Sequence, residues 1–314
     1  MTGLARAGGL VLGFAADRAF GDPRRGHPVA GFGRLAGALE RRIHGDDRAR
    51  GVLHAGILVG GAVALGVASE RAVASRPLAR TALTALATWV VLGGRSLERE
   101  AAAVRARLAA GDLPGARRRL THLVGRDTAA LDEGEVARAV VESIAENTSD
   151  AVVAPLVWGA VAGVPGLLGY RAANTLDAMV GHRTARYERF GWASARLDDV
   201  VNLPASRLAG VLAVALGEDP GSAATAWRRD ARRHPSPNAG VVESTFAGAL
   251  GIRLGGTNTY HGDRVEHRAV MGVGRAPEPV DIARATHLAR RVDGAALAVG
   301  AAAVLALAVL RRSR

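Results

Sequence analysis

Long apolar runs alternate with arginine-rich polar segments along this chain. Three runs contain no charged residue, at positions 51–69, 151–170 and 294–310. The hydrocarbon core of a bilayer is about 30 Å thick, so a helix needs about 20 apolar residues to cross it. The lengths of the three runs meet this requirement or come close to it. The pattern therefore predicts three membrane-spanning helices.

Shorter apolar stretches at 7–16, 81–94 and 208–217 add further candidates. Each is either a further span extended by flanking arginines or a helix buried in the protein. Pro155 and Pro165 interrupt the second long run, which favours a broken or re-entrant segment covered by protein. We therefore predict an all-α polytopic integral membrane protein with about 4–6 apolar helices and helical polar loops, forming a single domain over residues 1–314.

The charge of the chain changes the choice of partner but not the predicted fold. There are 41 basic residues, all arginine, against 29 acidic residues, which gives a net charge of +12. Such a charge first suggests nucleic acid. The long uncharged runs argue against a soluble nucleic-acid-binding protein and favour a membrane protein in contact with lipid. The absence of cysteine excludes a disulfide scaffold and a thiol nucleophile, and the absence of lysine excludes a P-loop.

Four polar segments lie between the apolar stretches and carry the candidate chemistry. They cover residues 18–50, 95–150, 171–200 and 218–290. Arginine is concentrated in cytoplasmic loops of membrane proteins. If residues 151–170 span the membrane fully, the 171–200 segment lies outside, whereas a re-entrant segment keeps the polar segments on one side. We favour the second arrangement and expect these segments to share the cytoplasmic side of the cell (inner) membrane.

The second polar segment combines a turn and a helix. The turn contains Arg126 and Asp127 beside further arginines, a combination that can hold an anion. We predict that a helix then runs from Asp132 to about Asn147, with its acidic residues favourable near the N-terminus. Arg138, Glu142, Glu146 and Asp150 recur at four-residue spacing and share one helix face. These carboxylates can hold Mg²⁺ beside a nucleotide, or they form an ordinary surface ion-pair ladder.

The third and fourth polar segments add further candidates. Asn174 and Asp177 are helix-spaced, and Asp198 with Asp199 forms a second acidic pair next to an apolar stretch. Ser236, Pro237 and Asn238 predict a turn and a helix start. Gly255 and Gly256 predict a flexible loop whose backbone amides can bind phosphate or amide groups.

These motifs together resemble a known family. The runs GDP…HPV, GRDT, ExxxENxxD, YRAANTLDAMxG, ARLDDxxNxPxR, SPNxG and GALGIxLGG follow in order over about residues 10–265. In this combination the chain resembles the CobD/CbiB family of cobalamin biosynthesis. The resemblance implies a membrane ligase that joins adenosylcobyric acid to (R)-1-amino-2-propanol or its O-phosphate, using ATP, with the corrinoid as substrate and adenosylcobinamide (phosphate) as product.

The implied chemistry assigns hypothetical roles to the motif residues. Activation of a carboxylate by ATP requires Mg²⁺ and cations around the transferring phosphate. Candidate Mg²⁺ ligands are Glu142, Glu146, Asp150, Asp198 and Asp199. Candidate phosphate or propionate clamps are Arg126, Arg171 and Arg196. Candidate substrate contacts are Asp127, Asn174, Ser236, Asn238, Gly255 and Gly256. Asp177 is a candidate amine-site contact and also the candidate general base.

A membrane transporter or corrinoid-binding module is the alternative interpretation, because carboxylates at a membrane boundary also mark ion pathways. The polar motifs lie mostly between the apolar stretches, whereas a transporter concentrates them at mid-membrane. The family further implies possible association with other late B12-pathway membrane enzymes. The sequence leaves open whether the amine substrate is aminopropanol, its phosphate or an ethanolamine analogue.

Overall fold

The computed structural model describes residues 2–23, 26–182, 184–260 and 264–310. It is 78% helical, and the predicted all-α polytopic fold class is confirmed. The α-helices are α1 (Thr2–Phe20), α2 (Pro28–Ile43), α3 (Arg48–Ala72), α4 (Pro77–Val91), α5 (Gly94–Ala109), α6 (Leu113–Leu120), α7 (Glu133–Asn147), α8 (Ala154–Val180), α9 (Trp192–Leu216), α10 (Pro220–Asp230), α11 (Ala239–Leu250) and α12 (Pro279–Leu310). A π-helical turn, Thr148–Val153, joins α7 to α8, a 3₁₀ turn, Ala231–Arg233, follows α10, and β1 (Leu254–Tyr260) pairs antiparallel with β2 (Arg264–Met271).

Four helical segments in the described residues are long and apolar enough to cross a membrane. They are Arg48–Ala72, Glu133–Val180, Trp192–Leu216 and Pro279–Leu310. The three long uncharged runs lie within three of these segments, and the stretch 208–217 lies almost entirely within the fourth. The stretches 7–16 and 81–94 belong mainly to α1 and α4, which are not among the four.

The chain divides into two compact units. Unit 1 comprises Met1–Gly93, Ala154–Asn202 and Leu297–Arg314, and unit 2 comprises Gly94–Val153 and Leu203–Ala296. Each unit is therefore assembled from segments that are distant in sequence. The single-domain assignment for residues 1–314 stays a prediction.

Small residues allow close helix contact in unit 1. α1 packs along α4, and a Cβ atom added at Gly9 or Gly13 would lie 2.4 Å from the Cβ of Thr84 or Thr88, respectively. No larger residue fits at either position without moving the helices apart. This close approach through glycines four residues apart is typical of helix pairs in membranes.

The long apolar segment is broken inside unit 1, as predicted. At Gly163 the backbone adopts φ +69° and ψ −145°, so the helical hydrogen bonds are interrupted. Side chains from other helices form hydrogen bonds with backbone groups next to the break. Val164 N donates to Glu70 Oε1 at 3.0 Å, and Arg6 donates to Ala160 O at 3.1 Å. The break is thus a stabilised feature of the fold, because an unpaired backbone group in an apolar environment is costly.

Replacement of Gly163 by alanine is expected to destabilise the protein by about 1–3 kcal/mol. A Cβ atom there would lie 2.3 Å from Glu70 Oε1, and the positive φ disfavours any L side chain. The measurement is denaturant unfolding of the purified protein in detergent micelles. Gly61→Ala is the matched control, because a Cβ atom at Gly61 meets nothing within 4 Å. An equal stability of the two variants would show that the break tolerates a side chain.

Unit 2 surrounds a short helix that is completely buried. Every residue of α11 is buried, and α11 packs against α7 and α10. α7 begins as predicted, because Asp132 and Glu135 form a reciprocal capping box at its first turn. The flexible loop predicted at Gly255 and Gly256 is wrong, since both residues lie in β1. Gly256 is paired with Arg268 of β2, and Gly255 lies at the irregularity in register between Leu254 and Gly256. No local pattern indicates this pairing.

A buried aspartate ties the hairpin to α10 in unit 2. Asp230 is 0% exposed and accepts hydrogen bonds from Arg229 Nε at 2.7 Å and from Gly272 N at 2.9 Å. The Arg229 hydrogen bonds, together with that from the Gly272 amide, hold the pKa of the Asp230 carboxyl below its usual value despite burial. The charged carboxylate therefore fixes the position at which β2 ends.

Candidate functional site

α7 presents one polar face within unit 2. Part of this face lines a small cavity, and the lining residues that it contributes are Ala139, Glu142, Ser143 and Glu146. The spacing predicted from sequence thus places Glu142 and Glu146 together. Asp150 lies beyond α7 in the π-helical turn, and it does not line this cavity.

A buried ion pair closes one side of the cavity. Arg126 donates to Glu142 Oε2 at 2.5 Å, and their side chains are only 6% and 5% exposed. The other oxygen of Glu142 accepts from the backbone amide of Gly255 at 2.8 Å. Both oxygens of Glu142 are therefore bound by the protein itself. The predicted anion-binding amide of Gly255 binds this internal carboxylate.

The cavity also receives residues from α11, β2 and the segment after α6. It has a volume of about 140 Å³. Its lining residues are Leu123, Val124, Gly125, Arg126, Ala139, Glu142, Ser143, Glu146, Glu243 and Arg268. Three carboxylates and two guanidinium groups thus converge on a space of the size of a small molecule.

Glu243 is the most deeply buried carboxylate of this cavity. It is 1% exposed, and its Oε2 has no hydrogen-bond partner among the described residues. Its Oε1 lies 3.7 Å from Nε2 of His234, which is also buried. Burial, reinforced by the nearby Glu142 and Glu146 carboxylates, raises the pKa of Glu243 well above its usual value. Of the three carboxylates that line the cavity, Glu146 has the exposed side chain.

Unit 1 contains a separate network of amide and carboxylate groups. Asn174 of α8 donates to Asp198 Oδ1 of α9 at 3.3 Å, and Asn202 donates to Asp198 Oδ2 at 2.9 Å. Tyr170 OH donates to Asn202 Oδ1 at 2.8 Å. The structure thus joins two of the predicted residues, Asn174 and Asp198, through contacts between two helices. Asn202 and Tyr170 complete this network, although neither was nominated.

Further predicted residues of unit 1 lie around this network. Arg171 NH1 lies 3.5 Å from Asn174 Oδ1, within the same helix. Asp177 and Asp199 lie close enough to Asp198 to repel its charge. Arg196 pairs with Asp199 at 3.3 Å on the α9 surface, with side chains 63% and 30% exposed.

Three predicted substrate contacts form hydrogen bonds within the protein. Asp127 accepts from Ala129 N at 2.9 Å and forms a turn. The Ser236 hydroxyl accepts from the amides of Asn238 and Ala239, which supports the predicted helix start at α11. The side chain of Asn238 is itself buried, and it accepts from Arg207 NH1 at 2.8 Å. Gly256 lies within β1.

The nominated carboxylates do not form a metal-binding cage. Among the described residues, no group of three or more His, Cys, Asp or Glu side chains is placed to hold a metal ion. Both oxygens of Glu142 and both oxygens of Asp198 accept hydrogen bonds from the protein. As a set these residues do not fit Mg²⁺, which requires near-octahedral oxygen ligands. A requirement for Mg²⁺ in the reaction stays a prediction.

The sequence motifs do not identify two of the residues that line the cavity, Glu243 and Arg268. Glu243 stands alone in an apolar helix, and a single acid in such a segment is the signal that could have identified it. Arg268 lies on β2, where charged residues occupy every second position from 264 to 268, a spacing typical of a strand rather than of a binding site. Its place beside the cavity depends on the hairpin, so the sequence pattern contains no signal for it.

Comparison with known proteins identifies the family. The sequence model of the family described as CobD/Cbib protein matches residues 10–289. The chain belongs to the CobD/CbiB family. A protein of Mycobacterium tuberculosis (strain ATCC 25618 / H37Rv) named "Cobalamin biosynthesis protein CobD" is 49% identical over 312 residues, covering 98% of this chain and 97% of that protein. No solved structure matches the chain.

Two further CobD relatives support the same conclusion. A Rhodobacter capsulatus protein of the same name is 44% identical over 307 residues, covering 94% of this chain and 97% of the relative. A Geobacter metallireducens protein, also of that name, is 46% identical over 288 residues, covering 88% of this chain and 90% of the relative. This CobD/CbiB protein therefore has a role in cobalamin biosynthesis.

Proposed function

We propose that this CobD/CbiB protein is a ligase that forms an amide bond. Its substrates are adenosylcobyric acid, ATP and (R)-1-amino-2-propanol or the O-phosphate of that amine. Its product is adenosylcobinamide or adenosylcobinamide phosphate. The observation that carries the proposal is the match to proteins named for cobalamin biosynthesis over 98% of the chain. The carboxylate- and arginine-lined cavity of unit 2 is consistent with a small polar substrate.

The reaction requires activation of the propionate before the amine can attack. Transfer of a phosphoryl or adenylyl group from ATP to the carboxylate gives a mixed anhydride, with release of ADP or pyrophosphate. The neutral amine attacks the carbonyl carbon and loses a proton, and phosphate or AMP leaves. ATP enters as its Mg²⁺ complex, whose metal is bound largely by phosphate oxygens and water.

Arginines and carboxylates of the motifs have roles to test in this reaction. Guanidinium groups bind phosphate and carboxylate in bidentate geometry, so Arg171 and Arg196 are proposed as clamps. A clamp role for Arg126 requires that its pair with Glu142 opens. Asp177 is proposed as the general base that accepts the amine proton.

We also propose a location for the reaction. The protein spans the cell membrane, with its arginine-rich loops on the cytoplasmic side where ATP is available. Its partners are then membrane lipid, the small-molecule substrates and possible neighbouring enzymes of late cobalamin synthesis. Nucleic acid is not proposed as a partner.

Purified protein in detergent micelles is expected to form a corrinoid amide. The assay combines the protein with ATP, Mg²⁺, adenosylcobyric acid and either aminopropanol or its phosphate, and detects the product by mass spectrometry. Omission of ATP or of the amine should abolish the product. Measurement of ADP and AMP identifies the activation step. Corrinoid binding without product, under conditions in which a related CobD protein is active, would instead favour the binding-module alternative.

A further inference from the structure

The cavity of unit 2 has one more carboxylate than it has guanidinium groups. Its ionisable groups are Glu142, Glu146, Glu243, Arg126 and Arg268. Arg126 neutralises Glu142 through their 2.5 Å hydrogen bond. Two carboxylates and one guanidinium group remain. Burial raises the pKa of Glu243 in the empty cavity, and a bound cation favours the ionised carboxylate. With all its groups ionised, the cavity matches a ligand that carries a single positive charge.

A buried oxygen of Glu243 marks the position of such a ligand. This side chain is 1% exposed, and Oε2 accepts no hydrogen bond from the described residues. A buried acceptor without a donor costs free energy, which a ligand recovers by supplying the donor. Glu146 lines the same cavity, and its side chain is exposed at the surface of the protein. A ligand that enters beside Glu146 therefore approaches Glu243.

The size of the cavity and its donor requirement favour a small ammonium ion. The cavity has a volume of about 140 Å³, below the roughly 300–1,000 Å³ of pockets that bind drug-sized ligands. This space suits a three-carbon amino alcohol and is too small for a nucleotide or a corrin ring. An ammonium group offers three N–H donors in flexible directions. A metal ion fits less well, because the described residues contain no three-ligand group for it.

We propose that the cavity binds the primary ammonium group of the amino-alcohol substrate, with Glu146 and Glu243 as its carboxylate partners. The identity of this amine rests on the proposed ligase function. Arg268 lines the same cavity, and its positive charge disfavours a second cation. The exposed carboxylate attracts the amine from solvent, and the buried carboxylate holds it in a site of low dielectric, where charged hydrogen bonds are stronger.

Equilibrium binding of radiolabelled (R)-1-amino-2-propanol tests this site directly. The full-length protein in detergent micelles is titrated without ATP or corrinoid, and with EDTA present. Glu146→Gln and Glu243→Gln are each expected to weaken binding at least tenfold. Glu133→Gln is the matched control, because Glu133 is an exposed carboxylate of α7 that lies outside the cavity. This variant should bind aminopropanol as tightly as the unmodified protein does. Propane-1,2-diol, which lacks the amine, should not compete.

Three results would overturn the proposal. The first is an absence of saturable amine binding, and the second is unchanged binding in both cavity variants. The third comes from a separate titration without EDTA, in which Mg²⁺ displaces the amine from the unmodified protein but not from the two variants. Thermal unfolding of each variant confirms that it is folded, and Glu146→Gln provides a test at an exposed position if Glu243→Gln does not fold.

The ligase assay separates this inference from the proposed function. Product formation with an unchanged amine KM in Glu146→Gln would reject the cavity as the amine site and leave the ligase activity standing. Amine binding that the variants lose, without any product from the unmodified protein, would reject the ligase activity and retain the amine site.

Discussion

Replacement of Arg126 by methionine is expected to lower the free energy of unfolding by about 3–5 kcal/mol. The substitution leaves the Glu142 carboxylate buried, with the Gly255 amide as its remaining hydrogen-bond donor. The Arg126 and Glu142 side chains are 6% and 5% exposed, so water cannot replace the lost guanidinium without opening the structure. The measurement is denaturant unfolding in detergent micelles. Because the pair borders the cavity, we also expect a large loss of activity.

A surface ion pair provides the control for this prediction. Arg107 and Asp112 are 2.8 Å apart, but their side chains are 60% and 33% exposed. Arg107→Met should therefore destabilise the protein far less than Arg126→Met. The double variant Arg126→Met with Glu142→Gln should recover much of the lost stability, because it removes the unpaired charge and retains an acceptor for Gly255. Equal costs for Arg126→Met and Arg107→Met would show that the buried pair contributes little.

Glu243→Gln is expected to have opposite effects on stability and activity. The variant removes a buried carboxylate whose pKa is raised by burial. We therefore expect the free energy of unfolding of the ligand-free protein to rise by about 1 kcal/mol. For a domain of about 150–250 residues this corresponds to a rise of about 2–4 °C in Tm. The same change removes a charged partner of the amine. We expect kcat/KM for the amine to fall about a hundredfold, which corresponds to about 2.7 kcal/mol.

The pH dependence of this stability effect has a definite sign. An unfolded glutamate ionises with a pKa of about 4.3, whereas burial raises the pKa of Glu243 well above that value in the folded protein. At pH values between the unfolded-state pKa and the folded-state pKa of Glu243, the folded protein binds more protons than the unfolded protein. The free energy of unfolding therefore falls as pH rises through this range. The Tm advantage of Glu243→Gln should be absent near pH 4 and should grow as pH rises.

The amine provides the control for this interpretation. Saturating aminopropanol should stabilise the unmodified protein more than Glu243→Gln, because a ligand stabilises the state that binds it. A lower Tm of Glu243→Gln at neutral pH, or an unchanged kcat/KM for the amine, would contradict the assignment of Glu243 as an unpaired cavity carboxylate.

Local signals predicted several elements of the candidate site. α7 follows from Asp132 and Glu135, whose capping box forms within four residues. The four-residue spacing placed Glu142 and Glu146 on one face because an α-helix completes a turn every 3.6 residues. The turn at Ser236 likewise preceded a helix, since its hydroxyl accepts from amides two and three residues later. Each of these features depends on neighbours in sequence.

Other features required contacts between distant segments. Gly255 and Gly256 were predicted as a loop, but β2 provides partners for their strand. The Glu142 carboxylate was nominated as a metal ligand, yet Arg126 and the Gly255 amide bind both of its oxygens. Spacing along a helix shows which carboxylates share a face. It does not show which charges approach that face from elsewhere.

The sequence by itself determined the fold class, the apolar segments and the family of this protein. Long uncharged runs and ordered motifs are properties of the linear chain, and bilayer thickness converts run length into structure. Only the tertiary structure decided that Glu243 and Arg268 join Glu142 and Glu146 around one cavity. Those residues come from α11, β2 and α7, and folding brings these elements together through non-local packing that periodicity does not encode.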